Sequence, residues 1–347
     1  MNNKSINLIA ILVSLIVIYL AKNLINPILM ALFITIIMIK PLEFLIARKI
    51  PQGVAVSIII AALLGGYFGL LTLIGSSISM FIEKAPEYAE SLREQTGLLV
   101  SFLEGKGISM KGSSEAMDLS KIMDYTANLA SELGDTLSNE FTFLLLTIFL
   151  LAEVDVFNQK IESIPIKTNQ SLKYLRVIGD SIRDYLSIKT MTSLLTGALV
   201  AVGLAIIGVD YPILWGLVAF LLNYIPNIGS ILAAIPAIIM AFVQMGWDGV
   251  LWTGLLYLIV NIVIGNVIEP RIMGKGLGLS TFVVFVALVF WGFILGPVGM
   301  FLSVPITMAI KIILEQREST KTIALFLGNI EDVNSKKSNS PITNNIS

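Results

Sequence analysis

The sequence predicts an all-α polytopic membrane protein of about six full spans plus two re-entrant helical hairpins in an inverted repeat, with eight conventional spans as the alternative. Three observations carry this. Of 347 residues, 56% are hydrophobic and 14% charged, whereas soluble domains carry about 25% charge. Several apolar runs reach or approach the roughly 20 residues that cross a bilayer as a helix. From Thr190 to Ile310 only five charges occur, Asp210, Asp248, Glu269, Arg271 and Lys275, yet this most apolar stretch is broken twice by Pro, Gly and Asn.

Composition also excludes functions. The net charge of −1 offers no basic field for a nucleic acid. With no Cys and no His, thiolate sites, Ser–His catalysis and HExxH zinc chemistry are unavailable. Gly274-Lys275-Gly276 lacks the upstream Gly and trailing hydroxyl of an ATP-binding P-loop. No enzyme, metal or cofactor is expected.

In chain order, Ile6–Ala21 lacks a small-residue cleavage site and reads as a first span. Asn23-Leu24-Ile25-Asn26-Pro27 is expected to turn the chain into a second run, Ile28–Ile39. Lys40, Arg48 and Lys49 then mark a cytoplasmic connection to a third run, Val54–Ile82. Residues 1–82 thus form an N-terminal set of three spans.

Residues 83–140 carry 11 acids against five basic residues and read as an extracytoplasmic amphipathic arm. Its first helix continues the third span, with a second around Ile122, Tyr125, Leu129 and Leu133. Phe141–Leu151 is a fourth span. Residues 157–189, with six basic residues and three acids, read as cytoplasmic amphipathic helices. Span four and these helices make up 141–189.

Residues 190–328 are expected to be the transport core, followed by a disordered cytoplasmic tail at 329–347. Thr190–Val209 is a fifth span. The run 213–244, as one helix, would be about 46 Å long, too long for a ~30 Å hydrocarbon core. Broken at Pro226-Asn227-Ile228-Gly229, it becomes a re-entrant hairpin. Gly246-Trp247-Asp248-Gly249 is an outer turn, and Val250–Val267 a further span. The run 281–311, broken at Gly296-Pro297-Val298-Gly299, is the second hairpin. Two hairpins also keep Arg271, Lys275, Lys311, Arg317 and Lys321 on the cytoplasmic side with both termini. The turn–Gly–apolar–Pro pattern of 226–236 recurs weakly in 296–305, as in inverted-repeat transporters.

The breaks nominate the site. Freed backbone groups and half-helix ends near the midplane can hold a solute or a cation. Asn223, Asn227 and Ser230 at the first tip, with Asn261 and Asn266 in the intervening span, are the candidate substrate ligands. Five residues apart, Asn261 and Asn266 are not expected on one α-helical face. Pro226, Gly229, Pro236, Gly296, Pro297, Gly299 and Pro305 are expected to shape the hairpins. Glu269, closing an apolar span before Pro270, is the candidate ion-coupling acid if its surroundings raise its pKa, with Arg271 the candidate partner.

Asn223-Tyr224-Ile225-Pro226-Asn227-Ile228-Gly229, Ile268-Glu269-Pro270-Arg271-Ile272-Met273-Gly274, and Trp291-Gly292 through Gly296-Pro297-Val298-Gly299 to Pro305 resemble the AI-2E family of bacterial transporters. The resemblance covers nearly the whole chain. It implies an inner-membrane carrier, elevator-like, for autoinducer-2 export or for Na⁺(Li⁺)/H⁺ antiport, and a homo-oligomer with a pentamer the expected assembly. The partners expected are the lipid bilayer and a small-molecule or cation substrate. A passive channel or a membrane scaffold is the rival class.

Overall fold

The computed structural model describes residues 3–106, 141–163, 170–226, 228–273, 278–316 and 319–328. Every regular element among them is helical: α1 (Asn3–Leu20), α2 (Lys22–Ala47), α3 (Gln52–Gly105), α4 (Phe141–Ser163), α5 (Gln170–Ile207), α6 (Pro212–Leu222), α7 (Gly229–Asn261), a π-helix (Ile262–Ile268), α8 (Glu269–Met273), α9 (Thr281–Leu295), α10 (Pro297–Glu315) and α11 (Lys321–Leu327). Among the described residues, five stretches are long and apolar enough to cross a membrane: 22–47, 52–84, 176–207, 229–273 and 297–315. Shorter apolar helices occupy 142–154, 212–222 and 281–295. The protein is an all-α multi-pass membrane protein.

Several boundaries differ from the sequence reading. The first turn falls at Ala21 rather than at 23–27, and Pro27 lies inside α2. As the sixth residue of that helix, Pro27 forgoes the bond to the Asn23 carbonyl, and the helix continues through it. The third span does run on into the arm, as a helix of 54 residues. The arm's second helix lies outside the described residues, as does the tail from 329. No helix end marks the expected boundary at 189/190, because α5 passes through it as one 38-residue helix, although the two compact units divide just after Thr190. Amphipathic and fully apolar segments share the 3.6-residue period, so a change of environment need not break a helix.

The chain divides into two compact units. One comprises 1–56, 143–190 and 269–347. Within it, Pro297 starts α10 directly after Gly296, whose φ of 67° is open to glycine at little cost. The chain folds back so tightly that a Cβ on Gly299 would lie 1.9 Å from the carbonyl oxygen of Trp291. The Asn26 side chain of α2 donates to the Leu295 carbonyl at 3.0 Å, capping the end of α9. At the other end of this unit, Lys40 pairs with Asp184 and Arg183 with Glu43, tying α2 to α5.

The other unit comprises 57–142 and 191–268. Here α5 and α6 cross through reciprocal glycines. A Cβ on Gly197 would meet the Gly216 carbonyl oxygen at 2.6 Å, and one on Gly216 would meet that of Gly197 at 2.6 Å. Small residues let membrane helices approach this closely. An apolar core of Val200, Leu204, Trp215, Val218, Ala237, Met240, Tyr257 and Ile264 follows from that crossing.

The run 212–261 is broken twice in this unit. Helix stops at Leu222 and restarts at Gly229, and Gly246, at φ 63° and ψ −143°, divides α7 into two arms. A Cβ on Gly249 would lie 2.3 Å from the Ala241 oxygen. In a continuous helix, residues eight apart are separated by about 12 Å, so the chain must fold back at Gly246. That corner matches Gly296–Gly299 in its glycine spacing, its φ/ψ values and its approach to a carbonyl eight residues upstream. The backbone parallel to Gly296-Pro297-Val298-Gly299 therefore lies at Gly246-Trp247-Asp248-Gly249. At 222–229 the chain turns differently.

These corners set an expected outcome. Gly299→Ala should lower stability by roughly 1–3 kcal/mol, the usual cost of overpacking, seen as an earlier thermal transition in detergent. Gly254→Ala, with no atom near the added methyl, should leave the transition unchanged or raise it by up to about 1 kcal/mol equivalent.

Candidate functional site

At the first break, Asn223 is the cap of α6, and its amide bonds back to the Ala219 carbonyl. Its side-chain amide donates to Ser193 Oγ of α5 at 3.0 Å. Ser193 is fully buried beside Thr192 and Thr196, themselves buried. The Thr196 hydroxyl donates to the Thr192 carbonyl. A neutral polar patch thus lies in the most apolar part of the chain. Gly229 closes the turn, since a Cβ there would sit 1.8 Å from the Leu222 oxygen. Pro226 contributes its carbonyl to the Ile228 amide. Ser230 lies in the first turn of α7, and Asn227 lies outside the described residues.

The other residues expected to shape the hairpins fall into two groups. Gly296, Pro297 and Gly299 make the corner described above, whereas Pro236 and Pro305 are buried inside α7 and α10. At the second break, the Trp291 indole donates to the Thr307 hydroxyl at 3.2 Å, holding the hairpin arms together.

Asn261 and Asn266 behave differently from expectation. Asn261 is the last α-helical residue of α7, and Ile262–Ile268 forms a π-helix carrying Asn266. In i→i+5 geometry, positions five apart come back towards one side. The spacing that separates two side chains on an α-helix brings them nearer across this junction. π segments are rare and concentrate at functional sites.

Glu269 follows the π segment directly. Its partner is Lys189 rather than Arg271: Lys189 Nζ lies 2.8 and 2.9 Å from the two carboxylate oxygens. The two side chains are 7% and 16% exposed. Arg271 is exposed. Both members of the pair belong to the unit containing 143–190 and 269–347. A buried acid lowers its cost by pairing, and a lysine on α5 does this better than a neighbour two residues along a five-residue helix. The clue in the sequence was position, because Lys189 is the last charge before the apolar stretch that starts at Thr190.

The sequence reading also missed a cluster on the loop between α5 and α6. The Asp210 carboxylate accepts from Tyr88 at 2.7 Å and pairs with Lys84 at 3.1 Å. Its amide donates to Gln244 and its carbonyl accepts from Trp215. Tyr88 also touches the Tyr211 hydroxyl at 3.2 Å. Burial, then the bonds to Tyr211 and Asp210, push the Tyr88 phenol well above the ordinary tyrosine value. The cluster ties the arm part of α3 to the start of α6 within one unit.

Residues 8–318 match the family described as AI-2E family transporter. The chain belongs to the AI-2E transporter family. Among the relatives of this transporter, the AI-2 transport protein TqsA of Escherichia coli K12 is 38% identical over 312 residues, 89% of this chain and 91% of that protein. A putative transport protein of Haemophilus influenzae is 38% identical over 331 residues, 93% of this chain and 95% of its own. The putative transport protein YhhT of Escherichia coli K12 is 33% identical over 332 residues, 93% of each chain. The transporter is not an enzyme, and as a transporter it meets the bilayer and a small-molecule substrate.

The ion pair yields an expected outcome. Lys189→Met alone should cost about 3–5 kcal/mol, because it strands a buried carboxylate. Lys189→Met combined with Glu269→Leu should recover most of that loss. Unfolding of the four members of this double-mutant cycle in detergent measures the coupling, and additive losses would show that the two groups do not depend on each other.

Proposed function

We propose that this transporter is a secondary carrier that exports a small organic solute, with autoinducer-2 the first candidate. It works in the bacterial inner membrane, elevator-like, as a homo-oligomer with a pentamer the expected assembly. The name of the E. coli relative supports the substrate. The observation that carries the carrier reading is the broken helix at 222–229, with Asn223 turned onto the buried hydroxyl of Ser193. A scaffold has no use for such a break in its most apolar region, and a channel needs a continuous wet path rather than a neutral, enclosed patch. The two runs 213–244 and 281–311 act as re-entrant hairpins entering from opposite faces. The acid-rich arm outside and the basic connections inside support cytoplasmic termini.

Cation/proton antiport is the second reading. It needs an acid free to exchange a proton, and the acid nominated for it, Glu269, is gripped through both oxygens by Lys189. That favours solute export.

Flux into proteoliposomes carrying an internal pH dye separates the two. Autoinducer-2 should move saturably, while Na⁺ and Li⁺ should leave internal pH unchanged. A saturable cation-dependent pH change, lost in Glu269→Gln, would replace export with antiport. Topology is tested by single cysteines, which need no prior removal of native ones. Asn227→Cys and Val298→Cys should be labelled from opposite faces, and equal labelling from one face would rule out opposed hairpins.

A further inference from the structure

One face of the second arm of α7 remains unused by that reading. Thr253 is fully buried and Tyr257 is 7% exposed, and neither hydroxyl has a hydrogen-bond partner among the described residues. Several buried threonines elsewhere bond back to their own helix. Thr35, Thr147, Thr196 and Thr307 each donate to the carbonyl four residues back. Thr253 makes no such bond to the carbonyl of Gly249. Tyr257 belongs to the apolar core with Val200, Leu204, Val260 and Ile264, where a phenylalanine would pack as well without stranding a hydroxyl.

Thr253, Tyr257 and Asn261 follow one another at four-residue intervals on the α-helical arm. They lie on one stripe in steps of about 6 Å. The Asn261 side-chain oxygen lies against Gly265, 3.3 Å from where a Cβ would sit, so a larger residue there would crowd the carboxamide. The arm is bounded by the Gly246 corner on one side and the π-helix on the other. Both are departures from α geometry, which an arm requires if it is to uncover an enclosed face.

We infer that the Thr253–Tyr257–Asn261 stripe is a binding site for a neutral solute carrying several hydroxyl groups, buried at its Thr253 and Tyr257 end in the conformation seen here. Two hydroxyls and a carboxamide present donors and acceptors in alternation and no charge. A polyol with hydroxyls about 6 Å apart can bridge two successive members of the stripe. A cation would call for carboxylates and an anion for a basic group, and the stripe carries neither. This inference rests on the carrier reading and deepens it.

The test reads Tyr257 directly, on the full chain in liposomes. The infrared difference between wild type and Tyr257→Phe isolates the phenol C–O stretch, and xylitol is the probe. The band should sit at the position of an unbonded phenol without xylitol and move saturably as xylitol is added. Thr253→Val, equal in shape, should raise the half-saturating concentration about tenfold, the loss of one hydrogen bond. An unmoved band, or equal half-saturation in Thr253→Val, overturns the inference. A band already hydrogen-bonded before xylitol and unmoved by it assigns the stripe to a fixed water and overturns it too. Failure of the carrier reading is read separately, as absence of saturable flux in proteoliposomes, because the band requires no transport.

Discussion

A backbone that leaves the α-helix inside a bilayer must find partners for its amides and carbonyls, because lipid offers none. This protein meets that demand by making each break very short and closing it on glycine. At Gly229, Gly249 and Gly299 the returning chain lies so close to an upstream carbonyl that no side chain fits. At the Leu295 carbonyl a side chain, that of Asn26, serves the backbone, while at the first break the Asn223 backbone amide caps α6 and its side chain donates to the Ser193 hydroxyl. Polar residues at these breaks therefore have structural duties before any ligand arrives. Asn223 belongs to the solute path only to the extent that a solute can compete with Ser193 for its amide.

The same constraint explains which features the sequence disclosed. Proline and glycine carry backbone information locally, so the breaks at 226–229 and 296–299 and the corner at 246–249 could be placed from a few residues. The apolar runs were equally plain. The weak repeat between 226–236 and 296–305 was another matter. Composition paired those stretches, whereas backbone conformation pairs Gly296 with Gly246. Residue content in membrane helices is too uniform for a weak likeness to identify the corner that recurs.

What stayed hidden depends on register or on distance along the chain. An apolar run such as Ile262–Ile268 reads alike as α or π, so the change of phase that relates Asn261 to Asn266 has no signature in composition. The partner of Glu269 lies 80 residues upstream, and a near neighbour such as Arg271 is the natural guess when only sequence is in view. The continuous α5 was concealed because its basic, amphipathic half and its apolar half differ in composition but not in period.

Charge placement shows how these pieces depend on one another. Of the charges between Thr190 and Ile310, Glu269 is largely buried and Asp210 only partly so, and each meets a lysine from another helix, Lys189 of α5 and Lys84 of α3. Asp248 and Arg271 remain exposed. The stretch is bracketed by Lys189 and Lys311, both buried, and Lys311 donates to the Gly278 carbonyl at the approach to α9. The pairs tie α5 to α8 and the α5–α6 loop to α3, and Lys311 holds the segment before α9. The most apolar stretch retains neutral hydrogen-bonding groups, Ser193, Asn223, Thr253, Tyr257 and Asn261, on the unit spanning 191–268. These groups offer donors and acceptors without charge, so what they select on is hydrogen-bond geometry.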